Sequence, residues 1–375
     1  MSRLDDLIKE KCPNGVKYEC VGSIADVGTG SSNGNEAIDN GEYPFFVRSQ
    51  TVKAKNDYEY DEEAIIIPGE GGIGDIYHYI NGKYALHQRV YRIHFKDDRI
   101  NTRFMYYCFS AFFKRFILKK AVSATVTSIR KPMIEKFEVP VPPLEVQNEI
   151  VQILDNFAEL TAELTAELGN RKKQYEYYRD LLLNFDKNEQ RERGVRWVSI
   201  EDICEISRGF VMSKDFIRDN AGEYPVYSSQ TENNGMLGCI NTYKYDGDYL
   251  TWTTDGANAG TVFRRSGKFS VTNVCGLLKV KDSTVSNDYL YYILSNTAKN
   301  YVNSGMGNPK LMSNVMARIK VPIPDSKEQQ RIVDVLDRFD KLTSDISEGL
   351  PAEIEAREKQ YAYYRDKLLT FEEAK

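Results

Sequence analysis

At 375 residues and 43.0 kDa the chain exceeds what a single hydrophobic core organises, so two domains are the first expectation. Hydrophobic residues at 41% and charged ones at 28% exclude global disorder. A mean hydropathy of −0.50, with no apolar run near the roughly 20 residues of a spanning helix, excludes an integral helical membrane protein.

The chain begins MSRLDDLIKEKCPNG, which carries acids and lacks an apolar stretch, so no signal peptide is expected. The cysteines at 12, 20, 108, 204, 239 and 275 form no CxxC pair and are expected as reduced thiols in a cytoplasmic protein. Residues 1–144 read as a globule rich in Gly, Asn and Tyr. Ala64–Ile67 and Val90–Phe95 are expected strands, Asn81-Gly82 an expected turn pair, and Phe104–Leu118 an expected helix. Pro142-Pro143 close this globule. In residues 145–186 the apolar spacing changes to three and four, through Ile150, Ile153, Phe157, Leu160, Leu164 and Leu168 to Tyr175, Tyr178, Leu182 and Phe185. That spacing predicts one long amphipathic helix.

Residues 187–324 repeat the first pattern, with a strand at Gly276–Val280, a turn at Asp246-Gly247 and a helix from Tyr289 to Tyr301. Residues 325–375 repeat the second, through Ile332, Val335, Phe339, Leu342 and Ile346 to Tyr361, Tyr364, Leu368 and Phe371. Gly349-Leu350-Pro351 predicts a break there, with a helix restarting at the proline. The fold class expected is α+β: two mixed α/β domains joined by two long antiparallel, coiled-coil-like helices, with a pseudo-twofold internal repeat.

The repeat is legible residue by residue. Gly30 aligns with Gly209, Glu42-Tyr43-Pro44 with Glu223-Tyr224-Pro225, and Ser49-Gln50-Thr51 with Ser229-Gln230-Thr231. Val139-Pro140-Val141-Pro142 returns as Val321-Pro322-Ile323-Pro324, and Lys173-Gln174-Tyr175-x-Tyr177-Tyr178-Arg179-Asp180 as Lys359-Gln360-Tyr361-x-Tyr363-Tyr364-Arg365-Asp366. The net charge of −5 divides unevenly: +1 in residues 1–144, −5 in 145–190, +3 in 191–324 and −4 in 325–375. The acidity lies in the helices, and near-neutral to basic globules suit contact with DNA at two separate places.

Catalytic motifs are weak or missing. Gly69-Glu70-Gly71-Gly72-Ile73-Gly74 satisfies GxGxxG, but a strand-like segment follows it instead of a helix, which argues against a dinucleotide site. The same place in the second copy reads Thr254-Asp255-Gly256-Ala257-Asn258-Ala259-Gly260. A glycine loop kept in position suits close backbone approach to a ligand. Pro324-Asp325-Ser326-Lys327 imitates part of a nuclease motif, yet it sits where a helix cap belongs. His78, His87 and His94 share no metal spacing and read as strand residues. No metal site and no catalytic residue is expected.

Polar and basic clusters that recur in register are the candidate DNA contacts. They are Arg48, Ser49, Gln50, Thr51, Lys53, Gly71, Gly72, Gln88, Thr125, Ser128, Arg130 and Lys131 in the first copy, and Ser229, Gln230, Thr231, Asp255, Asn258, Asn273, Asn308 and Lys310 in the second. Tyr177, Tyr178, Tyr363 and Tyr364 supply more aromatic surface than a two-stranded seam needs, and are candidates for docking another subunit.

The proline-rich segments 139–151 and 321–333, the stretch 349–357 and the two Lys-Gln-Tyr-x-Tyr-Tyr-Arg-Asp motifs together make a combination that resembles the DNA-specificity subunits of type I restriction–modification systems. The resemblance covers essentially the whole chain. It implies two target-recognition domains, at 1–144 and 187–324, each reading half of a split double-stranded DNA site. It implies that the spacer helices, 145–186 and 325–375, set the gap and dock two modification subunits, to which a restriction subunit with nuclease and translocase activity can be added. S-adenosylmethionine is then expected on the modification subunit and no cofactor on this chain. The competing expectation from a different class is a coiled-coil scaffold whose repeated globules bind protein.

Overall fold

The computed structural model describes residues 3–120, 128–185, 194–305, 307–344 and 349–374. The chain divides into two compact units, Met1–Thr165 with Glu353–Lys375, and Ala166–Ala352. Each unit therefore holds one globule, the adjoining part of the helix that follows it, and a part of the other helix. The division falls inside the unbroken 40-residue helix Leu144–Leu183, about 60 Å long.

In the first unit the strands are β1 (Tyr18–Cys20), β2 (Ala25–Thr29), β3 (Tyr43–Phe46), β4 (Lys53–Lys55), β5 (Tyr60–Pro68), β6 (His78–Leu86), β7 (Val90–Phe95) and β8 (Glu138–Pro140). Six of them form one sheet in the order β2-β7-β5-β6-β3-β4, with only β3 and β6 parallel, and β1 pairs with β8. The run Ala64–Ile67 is wholly buried, as expected of a central strand without alternation. A helical run from Thr102 to Lys120, with a π-helical stretch at Phe109–Phe113, packs Phe104, Phe109 and Phe113 into the core.

The second unit repeats this plan with β9 (Arg196–Ser199), β10 (Cys204–Arg208), β11 (Ala221–Tyr227), β12 (Met236–Ile240), β13 (Tyr245–Asp246), β14 (Tyr249–Thr253), β15 (Val262–Arg265), β16 (Lys268–Val271), β17 (Cys275–Val280) and β18 (Lys320–Ile323). Here β10-β17-β14-β15 and β12-β11-β16-β13 are separate sheets, and β9 pairs with β18. The counterpart of the long β6 is thus split into β15 and β16 around Gly267, whose φ is +73°. This corrects one expectation. The Asn81-Gly82 pair is not a turn: both residues lie inside β6, opposite Glu63 and Glu62, with Gly82 at φ +123°. Continuous pairing with β5 from His78 to Tyr84 overrides the local turn preference.

The recurring Glu-Tyr-Pro motif has a packing reason. Tyr43 meets Tyr58 at 5.0 Å with the Lys83 ammonium 4.6 Å from the Tyr58 ring, and Tyr224 meets Tyr243 at 5.0 Å with Lys268 4.7 Å from Tyr243.

Each globule is fastened to the helix that follows it by the same two devices. Buried Gln147 donates to the carbonyls of Arg99 (2.8 Å) and Pro142 (2.7 Å) and accepts from the Asn101 backbone N–H (2.8 Å). Gln329 does the same with Thr284 (2.9 Å), Pro324 (2.9 Å) and Ser286 (2.8 Å). Two helical turns further on, Asp155 accepts from Tyr107 and from the Arg103 guanidinium at 2.9 and 3.0 Å. Asp337 accepts from Tyr292 and from Arg264 at 3.0 Å. The two arginines are not equivalent. Arg103 comes from a helix and covers Tyr79 of β6 at 4.8 Å, whereas Arg264 occupies the β15 position matching Tyr79 and pairs with helical Asp288 at 3.1 Å. The partners have been rewired while the guanidinium on the carboxylate is kept. Replacing Gln147 or Gln329 by Leu, similar in size, leaves one buried N–H and two carbonyls unpaired. The expected loss is about 3 kcal/mol or more, read as a lower urea midpoint; an unchanged midpoint refutes this fastening role.

The described helices on either side of Gly349 are Ser326–Ser344 and Leu350–Leu368, with Pro351 second in the latter; residues 345–348, part of the expected break, lie outside the described residues. Asp325 caps the former, its Oδ1 accepting from the backbone N–H groups of Lys327 (2.9 Å) and Glu328 (3.0 Å). The nuclease-like Pro-Asp-Ser-Lys is therefore capping chemistry.

Candidate nucleic-acid interface

Four loops meet at one end of each globule, tied by equivalent backbone hydrogen bonds. In the first unit the Gly69 N–H donates to the Arg89 carbonyl (2.9 Å) and the Ile129 N–H to the Gly69 carbonyl (2.8 Å). In the second the Thr254 N–H donates to Val274 (3.1 Å) and the Leu311 N–H to Thr254 (2.9 Å). The β3–β4 loop joins through His87 N–H to Phe46 (3.0 Å), and the β11–β12 loop through Thr272 N–H to Tyr227 (2.9 Å). These bonds make Glu70 the counterpart of Asp255, Gln88 of Asn273, and Ser128 of Lys310. The Gly69–Gly74 segment is a loop running into a strand, so no helix N-terminus is present to hold a pyrophosphate.

Close approach explains the loop glycines. Gly71 and Gly72 have φ of +76° and +94°, and a Cβ on Gly71 would sit 3.0 Å from the Arg48 carbonyl. Arg48, Ser49, Lys53 and Gly71 line one groove with Gly34 and His87. His87 lies just past β6 rather than within a strand, and its Nδ1 accepts from the Arg89 N–H at 3.0 Å. Burial, together with nearby Arg48 and Arg89, pushes the His87 pKa down. Gln50 faces a different groove, with Tyr77, Tyr106, Lys114 and Arg115. Thr51 and Lys53 are exposed; Gln88 is exposed and donates to Asn33 Oδ1 (3.0 Å). Arg130 is the exposed N-cap of the helix Lys131–Glu135, where Lys131 lies 3.7 Å from Glu135. Ser128 is half-buried beside Ile129, and Thr125 lies outside the described residues.

In the second unit Gln230 is half-buried and donates to the Met236 carbonyl at 2.5 Å, which ties its own loop. Its neighbour Ser229 is half-buried. Asn258 donates to Thr231 Oγ1 (3.1 Å), and Asn273 is exposed in its turn. Asn308 and Lys310 line a groove with Asn303 and Asn314. Asp255 lies 3.6 Å from Arg208 and 3.7 Å from Lys310.

Sequence reasoning missed Glu70, Arg89, Arg208, Lys114 and Arg115. Arg89 adjoins the candidate Gln88, and Glu70 sits inside the glycine motif, so both carried a signal of position. Arg89 contacts both Glu70 oxygens (3.1 and 2.8 Å) and Arg48 one of them (3.2 Å), and this holds the Glu70 carboxyl below the usual range. Arg208 ends a strand and Lys114 and Arg115 lie in a helical run; only the fold brings them near the loops. Also missed was Arg265, which is buried, stacks 3.6 Å from the Tyr227 ring centre and donates from Nε to Thr251 (3.1 Å).

The four tyrosines separate into two pairs. Tyr178 stacks on Phe339 at 5.6 Å and Tyr364 on Phe157 at 5.7 Å, so both belong to a helix seam. Tyr177 and Tyr363 are 65% and 63% exposed and remain the outward-facing pair.

Loops of equivalent backbone and different side chains, carried on two copies of one α+β frame with long helices, define a duplicated recognition protein. The chain belongs to the family of the type I restriction modification DNA specificity domain, whose model matches residues 13–171 and again 192–356. It is 44% identical over 236 residues to a putative type I specificity subunit of Mycoplasma pneumoniae, covering 62% of this chain and 92% of that one. To the type I restriction enzyme EcoR124I/EcoR124II specificity subunit of Escherichia coli it is 36% identical over 263 residues, 63% of each chain. Its fold is similar to the crystal structure of a type I restriction–modification S subunit from M. genitalium, with a TM-score of 0.61 at 16% identity over 96% of both chains. No described helix is long and apolar enough to cross a membrane.

Proposed function

We propose that this chain is the sequence-specific DNA-binding subunit of a type I restriction–modification enzyme, each globule reading one half of a bipartite double-stranded target. The observation that carries this reading is the pair of loop clusters: their backbone ties match bond for bond, while the side chains they present differ. Two equal frames with unequal surfaces suit a target of two unlike halves. Exposed Lys53, Lys131 and Arg130 in the first unit suit phosphate contacts, which fix register and make binding salt-dependent.

In this reading the chain does no chemistry itself. Modification subunits dock on the helices, with Tyr177 and Tyr363 as exposed anchors, and bring S-adenosylmethionine; a restriction subunit joins the same assembly in the cytoplasm. Nothing in the fold or the relatives favours the scaffold alternative. The test is to exchange residues 194–324 for the matching segment of a related subunit, co-express with the modification subunits and map methylated sites. The expected result is a change in one half-site only. A change in both halves, or in neither, overturns independent reading.

A further inference from the structure

Glu70 and Asp255 are acids in a place where a DNA-binding surface would be expected to exclude them. Each follows the residue that ties the loops together, Gly69 in one unit and Thr254 in the other, so they occupy the same point of the two frames. Each is held between two cations from other segments. Glu70 contacts Arg89 at 2.8 Å and Arg48 at 3.2 Å. Asp255 lies 3.6 Å from Arg208 and 3.7 Å from Lys310, and its Oδ2 accepts from Thr254 Oγ1 at 2.6 Å.

The cations do not come from matching positions. Arg48 and Arg89 correspond to Ser229 and Val274 in the second unit. Arg208 and Lys310 correspond to Thr29 and Ser128 in the first, by the registers Arg208 to Gly276 and Thr29 to Tyr91. The same arrangement has therefore been assembled twice from different residues. In the first unit stability does not account for it. Glu70, Arg48 and Arg89 are 36%, 49% and 56% exposed, and ion pairs this open contribute little to folding. Affinity for the phosphate backbone does not account for it either, because a carboxylate repels phosphate and occupies cations that would otherwise bind it.

Reading of a base does account for it. In the major groove a carboxylate accepts a hydrogen bond from the amino group of cytosine, and a guanidinium or ammonium donates to O6 and N7 of guanine. A carboxylate with adjoining cations therefore complements one G·C pair across both strands. The cations also fix the carboxylate's direction before DNA arrives, which spares ordering entropy on binding. Resting on the DNA-recognition reading above, we infer that Glu70 and Asp255 are specificity-determining residues, each taking the exocyclic amine of a base, cytosine in the first instance, in the half-site of its own globule.

The test uses the full chain assembled with its modification subunits, comparing wild type, Glu70→Gln and Asp255→Asn by mapped methylation sites and by binding to cognate and single-substitution duplexes at fixed salt. Glu70→Gln should lower the preference for the cognate base at one position of the first half-site by roughly tenfold or more, leaving the second half-site unchanged. Asp255→Asn should do the converse. Glu70→Asp, which keeps the charge, should retain part of the preference. Thermal midpoints of the Glu70 variants should match wild type, since those pairs are exposed; Asp255→Asn, whose carboxylate is half-buried, is judged by the base pattern of the second half-site. If both variants keep the wild-type base pattern and bind every duplex uniformly more tightly, the acids only weaken non-specific binding and the inference fails. If the wild-type assembly itself shows no base preference, the DNA-recognition reading fails first.

Discussion

Gly30→Ala and Gly209→Ala should each destabilise the unit that contains them by about 3 kcal/mol or more. A Cβ on Gly30 would lie 1.8 Å from the Leu86 carbonyl oxygen, and one on Gly209 would lie 1.9 Å from that of Val271. Those oxygens belong to backbone, not to flexible side-chain ends. Leu86 is paired with Phe46 of β3, and Val271 with Tyr227 of β11, so neither can retreat without breaking a ladder. The same crossing carries the segments 31–34 and 210–213 to the loop cluster, through the bridges Ser32 to His87 and Phe210 to Thr272. Recognition by the affected globule should therefore fail together with its stability. Gly169→Ala provides the opposite control: this glycine is inside the long helix with nothing within 4 Å of its absent Cβ, and alanine there should stabilise by about 1 kcal/mol. Thermal unfolding of the three variants gives the comparison. A Gly30→Ala protein as stable as wild type would show that the two strands separate freely at this crossing.

Inserting one further Thr-Ala-Glu-Leu after Leu168 should keep both half-sites and widen the gap between them by one or two base pairs. The segment Leu160–Leu168 already contains this unit in tandem, and the division between the two compact units falls within it, at Thr165. Four helical residues add about 6 Å and a net rotation of about 40°. One base pair adds about 3.4 Å and about 35° of twist. The rotation matches one base pair and the length nearly two. The interval from Phe157 to Tyr175 is four residues shorter than that from Phe339 to Tyr361, so the two copies already differ by one such unit. Methylation mapping of the insertion variant gives the spacer directly. An active enzyme with an unaltered spacer would show that these helices are not the ruler.

Comparison of the two copies shows which features a sequence carries locally. The long helix from Leu144 was legible because its apolar residues recur at three and four, a pattern that one chain segment contains whole. The duplication was legible because identical motifs repeat in order, and the helix start at Leu350-Pro351 because proline acts on its own backbone. Asn81-Gly82 misled because its turn preference is weaker than the pairing of β6 with β5 on one side and β3 on the other. The bond from Gln230 to the Met236 carbonyl, six residues ahead, was not legible, because composition does not encode the path of the loop between them.

The loop cluster belongs to the tertiary level. Gly30 was visible as a matched glycine, but only the crossing over Leu86 says why no side chain fits there. Glu70 was visible inside a glycine motif, but its two cations lie 22 and 19 residues away, and those that flank Asp255 lie farther still along the chain. By itself the sequence determined the repeat, the helices and the acidic and basic partition, since each is periodic or local in the chain, and its combined motifs carried the resemblance to a family. Which tyrosines face outward was decided by stacking in the helix seam, and which loops meet and which charges surround Glu70 and Asp255 by sheet order and strand register. Those bring together residues whose separation along the chain leaves no periodic trace.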